Sequence, residues 1–252
     1  MLTMLLDGKT ALIYGAGQIG SAVARAFARE GAAVFLAGRT LATLDALADE
    51  IRAAGGTAET AAVDALDERA VTGHVDAVAE RTGRIDVSFN LISYGDVQQP
   101  LTEITVEDFL RPITTAMRTH FLTTQAAAPH MIRQRSGVIL AFGGSGPHTL
   151  PGLGGFKIAL DALEGLRRQW ACELGRHVVR VVTLKTGGVP ETIPDDFEGR
   201  DDIVASLERA TLLGRTATLT DVGDVAAFVA SDRARTMTAA TVNITCGAIM
   251  DY

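Results

Sequence analysis

The stretch Thr10-Ala-Leu-Ile-Tyr14-Gly15-Ala-Gly17-Gln18-Ile19-Gly20 decides the fold. Its first five residues form a short, mostly apolar run suited to a buried strand, and residues 19–30 read as a helix. The glycines therefore stand at a strand-to-helix turn. A lone G-x-G-x-x-G is a weak signal; between a strand and a helix that leads to a second strand, it fits a dinucleotide site. Gly15 permits the tight turn, Gly17 lets the backbone approach a pyrophosphate, and Gly20 allows close helix–strand packing. The helix N-terminus, with Gln18 and Ile19 in its first turn, offers free N–H groups and a positive dipole end. The competing reading is a tight turn that holds no ligand.

Working outward, strand-like and helical segments alternate. A strand is predicted over 33–37 and a helix over 41–54, ended by Gly55-Gly56. Further strands are predicted near 60–63, 87–91, 138–142, 178–184 and 242–245, and long helices over 106–135 and 155–174. This alternation implies a parallel sheet covered on both faces, with right-handed crossovers. The expected fold is α/β, a single Rossmann-type, doubly wound parallel sheet of about seven strands spanning residues 1–252. Residues 186–200, with two glycines, two prolines and several acids, read as a long loop with one short helix. Long loops at strand ends often serve as lids.

The second strand ends Ala37-Gly38-Arg39-Thr40. An acid there would bind the ribose 2′-OH of NAD, whereas an arginine accommodates the 2′-phosphate of NADP. No acid is present and Arg39 is, and a guanidinium suits a phosphate through paired hydrogen bonds. The expected cofactor is NADP(H) in preference to NAD(H), the competing reading being a solvated surface arginine. Asp64, with Ala65 beside it, follows the third strand and is placed to accept from adenine; the alternative is a helix N-cap.

Composition narrows the function classes. The 252 residues are 47% hydrophobic and 21% charged, as in a globular protein with a large core. A formal net charge of −7 argues against a broad nucleic-acid surface. Cys172 and Cys246 stand far apart without a C-x-x-C, so neither a disulfide framework nor a metal site is expected. No apolar run approaches the roughly 18 residues of a membrane span, and the N-terminus lacks a leader pattern. The expectation is a cytoplasmic protein acting on a small molecule, without nucleic-acid or membrane partners.

Further motifs carry a family resemblance along nearly the whole chain. They include Leu6-Asp-Gly-Lys-Thr-Ala-Leu-Ile, the glycine turn, Ala37-Gly-Arg39, Val63-Asp64, Gly83-Arg-Ile-Asp-Val, Gly137-Val-Ile-Leu and Leu213-Gly-Arg. The set also holds Phe121-Leu-Thr-Thr-Gln-Ala-Ala-Ala-Pro-His-Met, Glu173-Leu-Gly with Val179-Arg-Val, Asp224-Val-Ala with Phe228-Val-Ala-Ser-Asp, and Val242-Asn with Gly247. The chain resembles the short-chain dehydrogenase/reductase family. The resemblance implies NAD(P)-dependent oxidoreductase chemistry and a homodimer or homotetramer, with the two long helices as contact surfaces. It also implies cofactor contacts from Asn90, where the family's Asn-Asn-Ala-Gly reads Asn90-Leu-Ile-Ser93. Others fall at Thr186, Gly187, Val189 and Thr192 after the sixth strand.

One departure is in the cofactor turn, where the family's Thr-Gly-x-x-x-Gly-x-Gly reads Tyr14-Gly15-Ala16-Gly17-Gln18-Ile19-Gly20, one residue shorter; the others concern chemistry. The family's Tyr-x-x-x-Lys falls at Phe156-Lys-Ile-Ala-Leu160, its serine at Gly143 or Gly144 beside Ser145, and its asparagine at Ala116. Phenylalanine has no proton to give, and loss of a general acid costs about 10²–10⁴ in rate. Tyr94, His148 and Ser145 are the substitute candidates, Tyr94 being the preferred acid; packed or solvated roles compete for Tyr94 and His148. Lys157, one place after the tyrosine position, points about 100° away on a helix, and His120, one turn beyond Ala116, reads as buried and structural. The expected activity is reduction of a small apolar imine, enone or activated carbonyl, since activated substrates need mostly positioning. Two alternatives stay open. One is a non-redox cyclase, isomerase or dehydratase whose pocket is lined by Phe142, Leu150, Leu153, Phe156 and Leu160. The other is an inactive cofactor-binding subunit, possibly paired with an active homologue.

Overall fold

The structure is a computed structural model that describes residues 4–143 and 149–250. Seven parallel strands run in the order β3-β2-β1-β4-β5-β6-β7. They are β1 (Thr10–Tyr14), β2 (Ala33–Gly38), β3 (Thr57–Ala62), β4 (Val87–Asn90), β5 (Gly137–Gly143), β6 (Val179–Lys185) and β7 (Ala240–Asn243). The helices are α1 (Gln18–Arg29), α2 (Leu41–Ala53), α3 (Glu68–Thr82), α4 (Val106–Gln134), α5 (Phe156–Leu174), α6 (Arg200–Arg209) and α7 (Leu219–Ala230). The doubly wound architecture expected from the alternating pattern is present.

The period of two along each strand builds two cores. Ala11, Ile13, Val34, Leu36, Phe89 and Leu140 face the side covered by α1, α2 and α7. Leu12, Tyr14, Phe35, Ile139 and Val181 face the side covered by α3, α4 and α5. Strands buried on both faces read as unbroken apolar runs, which is why β1, β2, β5 and β6 were legible.

Two strands differ from the predicted spans by more than one residue. β3 begins three residues early, at Thr57, because it pairs with β2 from Ala33↔Thr57 to Gly38↔Ala62. Edge-strand pairing imposes no apolar pattern, and Thr57-Ala-Glu59 carries none. β7 covers Ala240–Asn243, with Ala240 beside Val182; the chain then turns where Asn243 Oδ1 accepts from Thr245 N at 3.0 Å. The long loop after β6 holds one 3₁₀ turn, Pro190–Thr192.

Strand order reverses between β1 and β4, a parallel central pair: from β1 the sheet continues through β2 and β3 on one side, and from β4 through β5, β6 and β7 on the other. At such a switch point the loops after neighbouring strands diverge and leave a crevice at their carboxyl ends. Among the described residues no helix is long and apolar enough to cross a membrane.

Candidate active site

The crevice holds a cleft of about 530 Å³ formed by the ends of β1 to β4 and one face of α4. It brings together Gly15, Gly17, Arg39, Asp64, Ala65 and Tyr94. Gly15 has a φ of +97°, and a Cβ on it would lie 2.8 Å from the Leu91 carbonyl oxygen. Gly20 is closer still: its Cβ would lie 2.1 Å from Gly15 O. Gly17 meets nothing within 4 Å, so its Cβ would enter open space.

Gly17 is also the N-cap of α1, and no side chain caps that end. The amides of the first turn, Gln18, Ile19 and Gly20, therefore lack both intrahelical acceptors and a capping oxygen. This uncapped, glycine-lined terminus beside open space fits a dinucleotide pyrophosphate. Arg39 is exposed on the same cleft and makes no hydrogen bond or ion pair with another described residue. Asp64 accepts from Leu66 N at 3.0 Å. The N-cap alternative for Asp64 is corrected: Asp67 caps α3, accepting from Arg69 N and Ala70 N, because the chain makes one further turn before the helix begins.

Asn90 is buried at the end of β4. Its Oδ1 accepts from Ile92 N at 2.9 Å, while its Nδ2 has no partner among the described residues. Thr186, Gly187, Val189 and Thr192 follow β6 and do not line this cleft. A Cβ on Gly187 would meet Ala248 Cβ at 3.1 Å, Val189 belongs to the core, and Thr192 Oγ1 donates to Val189 O at 2.7 Å.

Beside the cleft, Tyr94 and Ala116 join Ala159, Phe156 and Leu160 in one apolar cluster. Ala116 is fully buried. Phe156 is the first residue of α5, its ring 6.4 Å from that of Tyr94. Gly143 ends β5 with a φ of +126°, and a Cβ there would lie 2.6 Å from Leu160 Cδ2. Leu160 thus occupies the space a side chain at Gly143 would need. Gly144, Ser145 and His148 lie outside the described residues. Lys157 turns to Asp161, 2.6 Å away.

Tyr94 is 9% exposed. Its hydroxyl lies 3.2 Å from His120 Nε2 and 3.4 Å from the Phe142 carbonyl oxygen. Burial pushes the Tyr94 phenol above its usual range and the His120 imidazole down to about 4. Both are therefore neutral near pH 7, and Tyr94 is a hydrogen-bond donor more readily than a source of a free proton.

Sequence reading did not find the α4 wall of the cleft. Arg111, Thr115 and Thr119 line it, spaced four apart on one helical face; α4 carries many other polar residues, so only this i, i+4 spacing could have pointed to them. Arg111 is held by Asp108 at 2.6 Å. The Tyr94–His120 pairing was equally hidden, because 26 residues separate the partners.

Comparisons with known proteins agree with this fold. A family model described as enoyl-(acyl carrier protein) reductase matches residues 15–248. The chain is 30% identical over 247 residues to an A-factor type gamma-butyrolactone 1'-reductase (1S-forming) of Streptomyces virginiae, covering 96% of each chain. It is 28% identical to a 3-oxoacyl-(acyl carrier protein) reductase of Thermotoga maritima, covering 98% of this chain and all (100%) of that one. Among solved structures, a short-chain dehydrogenase/reductase from Serratia marcescens superposes with a TM-score of 0.85 at 25% identity, over 97% of this chain and 99% of that one.

Proposed function

The chain belongs to the short-chain dehydrogenase/reductase family, and from that premise we propose that it is an NADP(H)-dependent oxidoreductase for small apolar substrates that arrive already polarised: imines, enones or activated carbonyls. When bound, the dinucleotide supplies a hydride to an electron-poor carbon. The chain's own residues bind it, orient it and shape the space beside it.

The observation that carries the reading is the contrast between the two halves of the site. The cofactor half keeps its uncapped helix terminus, its open approach at Gly17 and an unengaged Arg39. The catalytic half is apolar where Ala116, Phe156 and Leu160 meet. Among the described residues this half holds no strong acid, which favours substrates whose reduction needs positioning and a hydrogen bond more than full proton transfer. Tyr94, kept neutral by burial, is the described side chain suited to donate that bond. Ser145 and His148, which follow β5 in sequence and lie outside the described residues, are further candidate donors.

Arg39 supports the preference for NADP(H), since a guanidinium free of other partners retains its full pairing capacity for a 2′-phosphate. Asp64 and Ala65 are assigned to the adenine end, Asn90 to the floor, and Thr186, Gly187, Val189 and Thr192 to the far side of the nicotinamide. The long helices α4 and α5 are proposed as the contact surfaces of a homodimer or homotetramer.

The test is direct. NADPH and NADH are titrated by fluorescence with the unaltered protein and with Arg39→Asp. Loss of one charge-assisted pair corresponds to about 10- to 100-fold in Kd for NADPH, with NADH affected little. Tighter binding of NADH by the unaltered protein would refute the phosphate role of Arg39. The enzymatic reading is tested by NADPH oxidation against panels of cyclic imines, enones and ketones. Product formed without cofactor turnover would refute it in favour of a non-redox enzyme.

A further inference from the structure

Among the described residues the Tyr94 hydroxyl has two polar neighbours, His120 Nε2 at 3.2 Å and Phe142 O at 3.4 Å. A carbonyl oxygen only accepts, and a phenol carries one proton. Both contacts are hydrogen bonds at once in only one arrangement. Tyr94 donates to Phe142 O, and His120 donates from Nε2–H to the phenol oxygen. The tautomer of His120 is thereby assigned: neutral, with its proton on Nε2.

We propose that His120 is a positioning residue that acts through Tyr94, its Nε2–H holding the phenol oxygen and offsetting the charge that grows there when the phenol is used as a donor. This rests on the reading of Tyr94 as the donor to substrate. In that use the Tyr94 O–H turns from Phe142 O towards the substrate oxygen or nitrogen. If transfer goes to completion, the phenol O–H bond breaks and its electron pair stays on the Tyr94 oxygen. The proton bonds to the substrate heteroatom, which gained an electron pair when its carbon was reduced. Water then returns a proton to Tyr94. His120 stays neutral throughout, so its N–H is a fixed dipole aimed where charge develops.

The surroundings make His120 the group suited to this. From α5 the cluster offers only Phe156, Ala159 and Leu160, and from α4 it offers Ala116, one turn before His120, with Ile113 and Met117. The charge on the same cleft wall, Arg111, is engaged by Asp108; on α5, Lys157 pairs with Asp161. His120 is 4% exposed, and burial keeps it uncharged above about pH 4. In so dry a setting one oriented N–H is worth more than in water.

The chain has three tyrosines and five histidines, few enough for residue-resolved spectroscopy. With ¹⁵N-labelled histidine, the unaltered protein at pH 7 is expected to show His120 as the Nε2–H tautomer; an Nδ1–H tautomer overturns the proposal without any variant being made. With ¹³Cζ-labelled tyrosine, assigned through Tyr94→Phe, His120→Phe should displace the Tyr94 resonance and His120→Gln, which keeps a terminal N–H, should restore most of it. His120→Met serves as the apolar replacement if His120→Phe does not fold. An unmoved resonance in the apolar variants, or an equal displacement in His120→Gln, also overturns it. In turnover, the apolar variants should lower kcat about 10- to 100-fold, the worth of a hydrogen bond to a charged group, with KM little changed and no further loss when Tyr94→Phe is added. If no substrate in the panels is reduced, the reading of Tyr94 as a donor falls, while the two spectra still decide the His120–Tyr94 bond.

Discussion

Gly17 and Gly20 lie three residues apart in one turn, yet the structure assigns them different consequences when each becomes alanine. At Gly20 the new Cβ would sit 2.1 Å from Gly15 O. Normal contact needs more than 3 Å, so the start of α1 must withdraw from the β1 turn by about 1 Å. Overpacking of this kind costs about 1–3 kcal/mol, or roughly 2–10 °C in Tm for a chain of this size, and it spoils the amide geometry as well. At Gly17 the Cβ meets nothing within 4 Å. Alanine is a poorer N-cap than glycine by up to about 1 kcal/mol, partly offset by a less flexible unfolded chain. Folding should then change by no more than about 1 kcal/mol. The open space, however, is where a pyrophosphate must approach. Losing one or two of its amide contacts corresponds to about 1.5–3 kcal/mol each, hence at least tenfold in Kd. The assay pairs thermal unfolding without ligand with NADPH titration. Gly17→Ala should keep its Tm and lose affinity, whereas Gly20→Ala should lose both. Unchanged NADPH affinity in a folded Gly17→Ala would refute the placement of the pyrophosphate at the α1 terminus.

Two further predictions concern buried titratable groups. Burial pushes the Glu164 carboxyl up, but hydrogen bonds from Arg167, with Thr241 adding another, outweigh this and leave it below its ordinary value. Its contribution therefore holds at neutral pH and fades as pH falls through the folded value. Glu164→Gln leaves Arg167 unneutralised and only 6% exposed; chemical denaturation should show a loss of about 3–5 kcal/mol, and a change below about 1 kcal/mol would refute the pair's role. His120 is held at about 4, against 6.5 for an unburied imidazole. The unfolded chain thus binds one more proton than the folded chain between those values, and stability falls as pH drops from about 6.5 towards 4. The full shift corresponds to about 3 kcal/mol. Denaturation at pH 7 and pH 4.5 should show a smaller acid loss in His120→Gln; an identical loss would refute the burial of a neutral imidazole there.

The glycine turn, Arg39 and the alternation of segments were readable because each is a local rule. A strand buried on both faces must be apolar throughout, a phosphate turn must lack Cβ atoms, and a helix beginning needs no distant partner. β3 and β7 were misjudged at their ends because pairing with a neighbour, not side-chain burial, sets the limits of a lateral strand. Asp64 and Asp67 illustrate the same limit within a few residues: both are plausible caps by type, and only backbone direction selects Asp67.

By itself the sequence determined a doubly wound sheet, a dinucleotide turn and an apolar set at Ala116, Phe156 and Leu160, since these follow from residue type and spacing. Tertiary structure alone decided what that apolar set means spatially. It brought β5, α4 and α5 together so that Leu160 fills the room a side chain at Gly143 would require. It also joined Tyr94 to His120 across 26 residues. Contacts between distant segments are fixed by how the helices seat on the sheet, and no periodicity within either segment encodes which hydroxyl meets which imidazole.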